Sequence, residues 1–358
     1  MQYISLHSGF IILLYYGGNG MIKKIVSLLA VSAVCLGIAA FAQQQNKLSY
    51  DGYSLKFEDD FSGKTLNKKY WNYEKHQPGW VNNELQEYVE NKKNIYLKDG
   101  NLIIQPVKTT DKRGNVSYTS GRITTQGKVT AKYGIIEARI KVPQGQGYLP
   151  AFWMMPDNES LYGSWPLCGE IDIMEVLGSE INKSYSTLHF GEPHTQKQVS
   201  KVLTDGDFAN EFHTFSCEWN PDEFRYYVDG NYIGSVTEWF TKKQNDSDPV
   251  TFPAPFDQPF YVILNVAVGG NWPGYPDETT TFDEKAQMAV DYVRIYQKDS
   301  YNDNVAMKEA SVKADSGDAS GNCIHSDGWK FLTALGGDGS ADISGDGITV
   351  YTKNPGSV

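Results

Sequence analysis

An all-β fold, a two-sheet antiparallel β-sandwich, is what this sequence predicts, and three observations predict it. Period-two alternation of apolar and polar residues recurs along residues 50–298, with turn residues between the runs. No stretch of that region carries a long helical stripe. Many strands, few helices and one domain of this length imply two large antiparallel sheets packed face to face.

The elements follow in order. Residues 1–20 precede a better export start and read as an over-called beginning. Met21-Ile22-Lys23-Lys24 is a short basic start, and the apolar run Ile25 to Ala40 follows it. Ala40-Phe41-Ala42 supplies the two small residues a signal peptidase reads, so residues 21–42 are expected to be a signal peptide and the protein to be secreted. Within 50–298, Tyr133 to Val142 alternates after Gly134. Phe224 to Ile233 reads as a hairpin turning at Asp229-Gly230. Phe260 to Val268 and Ala289 to Gln297 are further strands, the last alternating as Val290, Tyr292 or Val293, and Ile295. Residues 299–321 are rich in Asp, Ser, Ala and Lys and read as a solvated linker. Residues 322–358 begin a new pattern that stops too soon for a core of its own.

Composition narrows the function. The 358-residue chain carries a formal charge of −11, which argues against nucleic acid and, once the signal is cleaved, against anionic membranes as partners. Eight Trp and 23 Tyr are enough to furnish platforms for sugar rings. Cys168, Cys217 and Cys323 remain after cleavage and show no metal-ligand spacing. The preferred reading is free buried thiols, with a Cys168–Cys217 bridge as the alternative. A monomer is expected.

The chemistry concentrates in Gly169-Glu170-Ile171-Asp172-Ile173-Met174-Glu175-Val176. Strand alternation sends Glu170 and Asp172 to one face and Ile171 and Ile173 to the other. Three acids in six residues of an apolar strand are costly, because repulsion and desolvation both oppose ionising them together. Glu175 falls on the wrong face of a regular strand. One β-bulge near Ile173–Met174 restores it to the face of Glu170. Two carboxylates so placed are consistent with a retaining glycosidase.

This segment resembles the signature of glycoside hydrolase family 16, in its bulged form Glu-Ile-Asp-Ile-Met-Glu. Trp165-Pro166-Leu167-Cys168, Trp80 to Gln86, Ser120-Gly121-Arg122-Ile123, Pro150 to Pro156 and Val268 to Gly274 resemble its laminarinase branch, which cuts β-1,3-glucans. The resemblance implies a jelly-roll sandwich with a substrate cleft on its concave face and a double-displacement endo-hydrolase. It makes Glu170 the nucleophile, Glu175 the acid/base and Asp172 a residue that orients or tunes Glu170. No cofactor is needed for that chemistry.

Around these acids, Trp165, Trp272 and Trp153 are candidate sugar platforms, Trp153 with core as its other reading. Arg122 and Asn83 are candidate hydroxyl partners, and His189 on the next strand is expected to adjoin the acid/base. The resemblance also implies a structural calcium held by Asp60, the Gly100 carbonyl and Asp291, since oxygen ligands suit a hard cation. Residues 322–358 resemble the start of a family 4 carbohydrate-binding module. Two other readings are a non-catalytic glucan-binding protein, and the same mechanism on mixed-linkage β-glucan or a galactan.

Overall fold

A computed structural model describes residues 47–307 in full and, elsewhere, only the backbone of short strand pairs near residues 6–11 and 323–351. The expected over-called start, signal peptide and C-terminal module otherwise lie outside the described residues. The chain divides into two compact units, Met1–Val305 and Ala306–Val358. Tyr301 and Asp303, in the expected linker, belong to the first unit: Tyr301 packs on Tyr133 at 5.2 Å and Asp303 pairs with Lys132 at 2.5 Å.

Sixteen strands make the two sheets, numbered here in chain order. They are β1 Ser54–Asp59, β2 Asn72–Tyr73, β3 Ile95–Lys98, β4 Asn101–Ile104, β5 Arg122–Thr124, β6 Thr130–Ala131, β7 Gly134–Lys141 and β8 Tyr148–Pro156. After these come β9 Glu170–Val176, β10 Lys183–Phe190, β11 Thr195–Val202, β12 His213–Asn220, β13 Glu223–Val228, β14 Asn231–Val236, β15 Phe260–Val268 and β16 Met288–Gln297. One sheet has the order β11-β10-β9-β8-β15-β5-β2, with β6 also on β15; it carries the acids. The back sheet has the order β14-β13-β12-β7-β16-β4-β3, with β1 also on β16. All these pairings are antiparallel, and the one described helix is a single 3₁₀ turn at Glu284–Ala286.

The alternation predicted from sequence is what packs the sandwich. Ile136, Phe215, Cys217, Tyr226 and Val293 of the back sheet share one buried cluster with Phe152, Ile171, Leu188 and Leu264 of the acid-bearing sheet. Trp219 on β12 meets Phe260 on β15 edge-on at 5.3 Å, joining the sheets through aromatic rings. Each such side chain contributes about 1.5–3 kcal/mol by leaving water. The hairpin turns at Asp229-Gly230, both with positive φ as its two-residue turn requires.

The last strand resolves an ambiguity in its pattern. Arg139 stands opposite Tyr292 while Ile140 stands opposite Val290, so Asp291 is an extra residue in a bulge. Parity flips there, so Val290 before the bulge and Val293 and Ile295 after it are all buried.

Candidate active site

Strand β9 lies between β8 and β10 and holds all three acids. On β8, Trp153 faces Asp172 and Ala151 faces Glu175; on β10, Thr187 faces Asp172 and Tyr185 faces Glu175. Three residues on each neighbour, 151–153 and 185–187, thus match four on β9, 172–175. The bulge sits at Ile173–Met174, where the parity of the acids required it, and it brings Glu175 to the face of Asp172. Ile171, Ile173, Met174 and Val176 stay in the core. Bulging frees the Ile173 carbonyl, and the buried Ser186 hydroxyl donates to it at 2.8 Å. Ser186→Ala is expected to cost about 1–3 kcal/mol, the penalty for a buried carbonyl left unpaired, read as a lower Tm.

Gly169 sets the entry to the strand. Its φ is +84, and a Cβ there would lie 2.9 Å from both Phe256 and Pro255 side chains. Neither ring can retreat from the core cheaply. Gly169→Ala is therefore expected to shift Glu170 and reduce activity more than it reduces Tm, which paired kinetic and thermal measurements would read.

Donor atoms of Glu170, Asp172 and His189 lie within 4.8 Å of one another. Asp172 is 3 % exposed, and its Oδ2 is 3.3 Å from His189 Nε2. Burial raises all three acids. Glu170 is pushed up to about 8, by burial first and then by the charge of Asp172. Asp172 is also pushed up to about 8 by burial, while a hydrogen bond with Glu170 pulls it down. Glu175 is pushed well above the carboxylate range by burial and by the charges of Asp172 and Glu170.

These groups cannot ionise together, so the charge goes where it is best compensated. His189, a hydrogen bond from Trp165, and Arg122 all favour charged Glu170. The charges of Asp172 and Glu170 instead oppose ionising Glu175. The geometry therefore favours an ionised Glu170 beside a protonated Glu175, the division that a nucleophile and a proton donor need.

The surrounding residues separate into platforms and braces. Trp165 and Trp272 are 46 % and 43 % exposed. Trp272 packs edge-on against Tyr185, the residue opposite Glu175, at 5.1 Å. Trp153 is half-buried beside Asp172 and donates its indole N–H to Asn265 at 2.7 Å. Arg122 is buried, paired with Glu74, and its guanidinium lies over both Trp80 at 5.2 Å and Trp153 at 4.6 Å. It braces two aromatic walls rather than presenting free donors. Asn83, in a left-handed loop position, donates to Asn271 at 2.8 Å and ties the Trp80 loop to the Trp272 loop.

His189 differs from its expected place. Antiparallel register sets it opposite Glu170, and Tyr185 rather than His189 neighbours Glu175. Trp80 was not singled out from the sequence. It is 47 % exposed and stacked on His76 at 3.4 Å, which leaves its outer face as a rigid platform. Trp80 alone in a loop gives no hint of that stacking; a histidine four residues earlier was the one signal available.

The expected calcium ligands converge at one corner of the back sheet. Asp60 follows the end of β1, which pairs with β16; Gly100 precedes Asn101 on β4, which also pairs with β16; and Asp291 is the bulge residue of β16. All three offer oxygen, as calcium requires. Asp291 is engaged by Arg139 at 2.7 Å and Asp60 by the Ser62 hydroxyl at 2.7 Å. An ion would have to replace the Arg139 contact.

Cys168 and Cys217 are free and buried. Cys217 sits in the main core, whereas Cys168 sits with Met155, Tyr261 and Ile263 in a separate cluster, so no bridge joins them. Burial pushes the Cys168 thiol up to about 12, which keeps it inert.

Residues 72–294 match the model of glycosyl hydrolases family 16. The chain is 38 % identical over 266 residues to glucan endo-1,3-beta-glucosidase A1 of Niallia circulans, covering 69 % of this chain and 38 % of that protein. It is also 38 % identical over 257 residues to the glucan endo-1,3-beta-glucosidase of Cryptopygus antarcticus, covering 69 % and 93 %. The X-ray structure of endo-beta-1,3-glucanase from Pyrococcus furiosus superimposes with a TM-score of 0.58 at 40 % identity, over 70 % of this chain and 97 % of that one. With the acids, the bulge and the sandwich in agreement, the chain belongs to glycosyl hydrolases family 16.

Proposed function

We propose that this glycoside hydrolase is a secreted, monomeric endo-β-1,3-glucanase that works with retention of configuration. The observation that carries the reading is the bulged strand, which turns Glu170, Asp172 and Glu175 to one face beside Trp165. The similar proteins named above as 1,3-β-glucanases support the choice of linkage. The export pattern of residues 21–42 supports secretion.

The mechanism follows from the charge division. Glu170 attacks the anomeric carbon as Glu175 gives its proton to the glycosidic oxygen. The bond between them breaks, and the leaving chain departs with that proton. Water then attacks the same carbon, its proton passing to Glu175, and Glu170 is released as a carboxylate. Asp172, on the same face of the strand, tunes Glu170 through its charge. Trp80, Trp165 and Trp272 supply faces for sugar rings.

The test is reducing-sugar release by the full chain from laminarin, barley mixed-linkage glucan, agarose and carrageenan. Fastest release from laminarin is expected. Activity confined to a galactan would keep the mechanism and overturn the substrate, and silence on all four would favour a binding protein.

We also propose that calcium at the Asp60, Gly100 and Asp291 corner is structural. Its removal by EDTA is expected to lower Tm and leave kcat unchanged.

A further inference from the structure

We infer that His194 is a positioning residue which, through His189, sets and exchanges the proton on buried Asp172. Three contacts carry the inference. Asp172 Oδ2 is buried without a hydrogen-bond partner, yet lies 3.3 Å from His189 Nε2. His189 Nδ1 lies 2.9 Å from His194 Nε2, and the two rings are near parallel at 18°. His194 itself is exposed, with its ring 4.7 Å from that of Trp165.

Proton counting links the three groups. Each contact between facing atoms needs one proton, and neutral His189 has only one to give. With that proton on Nε2, His189 donates to the Asp172 carboxylate, and His194 must supply Nε2–H to the bare Nδ1. With it on Nδ1, His189 donates to His194, its Nε2 is bare, and Asp172 must itself carry a proton on Oδ2. His194 then holds its own proton on Nδ1.

Passing between these states moves one proton per contact. Asp172 Oδ2–H goes to His189 Nε2, His189 Nδ1–H goes to His194 Nε2, and His194 Nδ1–H goes to water. The net change is one proton leaving Asp172 for solvent. Burial lowers both histidines, which keeps them neutral and able to switch tautomers.

Other charges around the relay are paired or belong to the site. Glu192, in the same turn, pairs with Lys242 at 2.8 Å, and Lys197 on β11 pairs with Glu238 at 3.5 Å. Glu170 and Asp172 face His189 from β9, and Arg122 acts on Glu170 from β5.

The experiment compares the full chain with His194→Phe, which keeps a ring and removes both nitrogens, and His194→Gln. Ring-¹⁵N NMR across pH 4–9 is expected to show His189 changing tautomer with Asp172 in the parent, and no such change in His194→Phe. In kinetics, the acid limb of kcat/KM is expected to shift by about half a pH unit or more, with KM at the optimum changed less than about twofold. The shift should vanish in the Asp172→Asn background. An unchanged tautomer pattern in His194→Phe would overturn the relay, as would an equal limb shift with and without Asp172. The NMR readout needs no turnover, so it separates failure of the relay from failure of the glucanase reading on which only the kinetics rest.

Discussion

Glu170→Gln and Glu175→Gln are each expected to lower kcat/KM on a β-1,3-glucan by about 10³-fold or more, with the fold intact by circular dichroism. Glutamine keeps the shape of either side chain but neither attacks carbon nor gives up a proton. The two losses should differ in kind. Removing Glu170 blocks the covalent step for every substrate. Removing Glu175 hurts least where the leaving group needs no proton, so an aryl glucoside of an acidic phenol should recover part of the rate. Glu170→Gly with azide should form a glycosyl azide of inverted configuration, the small anion occupying the vacated space. Asp172→Asn is expected to lose only part of the activity, because the amide keeps the carboxyl's shape and removes only the charge beside Glu170. Turnover near the parent level in either glutamine variant would exclude the assignment.

Glu175→Gln is also expected to stabilise the protein at neutral and alkaline pH. Glu170 in the folded chain is raised from 4.5 to about 8, and Glu175 is raised as well. A carboxyl whose folded pKa lies above its unfolded pKa favours folding fully below the unfolded value, near pH 4.5. That contribution is lost as pH climbs through the folded value. The parent Tm should therefore fall between about pH 4.5 and pH 8 through these groups, and Glu175→Gln, neutral throughout, should fall less. Both glutamates are only partly buried, so screening limits the gain to on the order of a few kcal/mol at pH 8. Equal Tm differences at pH 4.5 and pH 8 would show that the acids are not held at the cost of stability. The strand is expected to trade stability for chemistry.

Much of this architecture was legible because it is local. Period-two alternation predicts β7, the Asp229-Gly230 turn predicts the hairpin, and the largely apolar run 260–268 is β15 with its bounds unchanged and every residue buried. The bulge in β9 was legible for a sharper reason: three acids that must share a face cannot do so at positions 170, 172 and 175 of a regular strand. Other features depend on partners far away in sequence. Arg122 reads as a free donor until Glu74, Trp80 and Trp153 close around it. His189 reads as a neighbour of the acid/base until the register of β10 sets it opposite Glu170. Ser186 carries no motif, and only the carbonyl freed at Ile173 gives its hydroxyl a purpose. The Asp291 bulge was hidden too, since either Tyr292 or Val293 satisfied the pattern until β7 fixed the pairing.

Cleavage of a β-glucan by Glu170 and Glu175 through two successive displacements at one carbon, as proposed, leaves a stereochemical record. Proton NMR of the first products from laminarin, recorded before mutarotation, tests it most directly. The β-anomer of the new reducing end is expected to appear first and to decay toward the equilibrium mixture. Initial appearance of the α-anomer would mean a single displacement by water, and would contradict a nucleophilic Glu170.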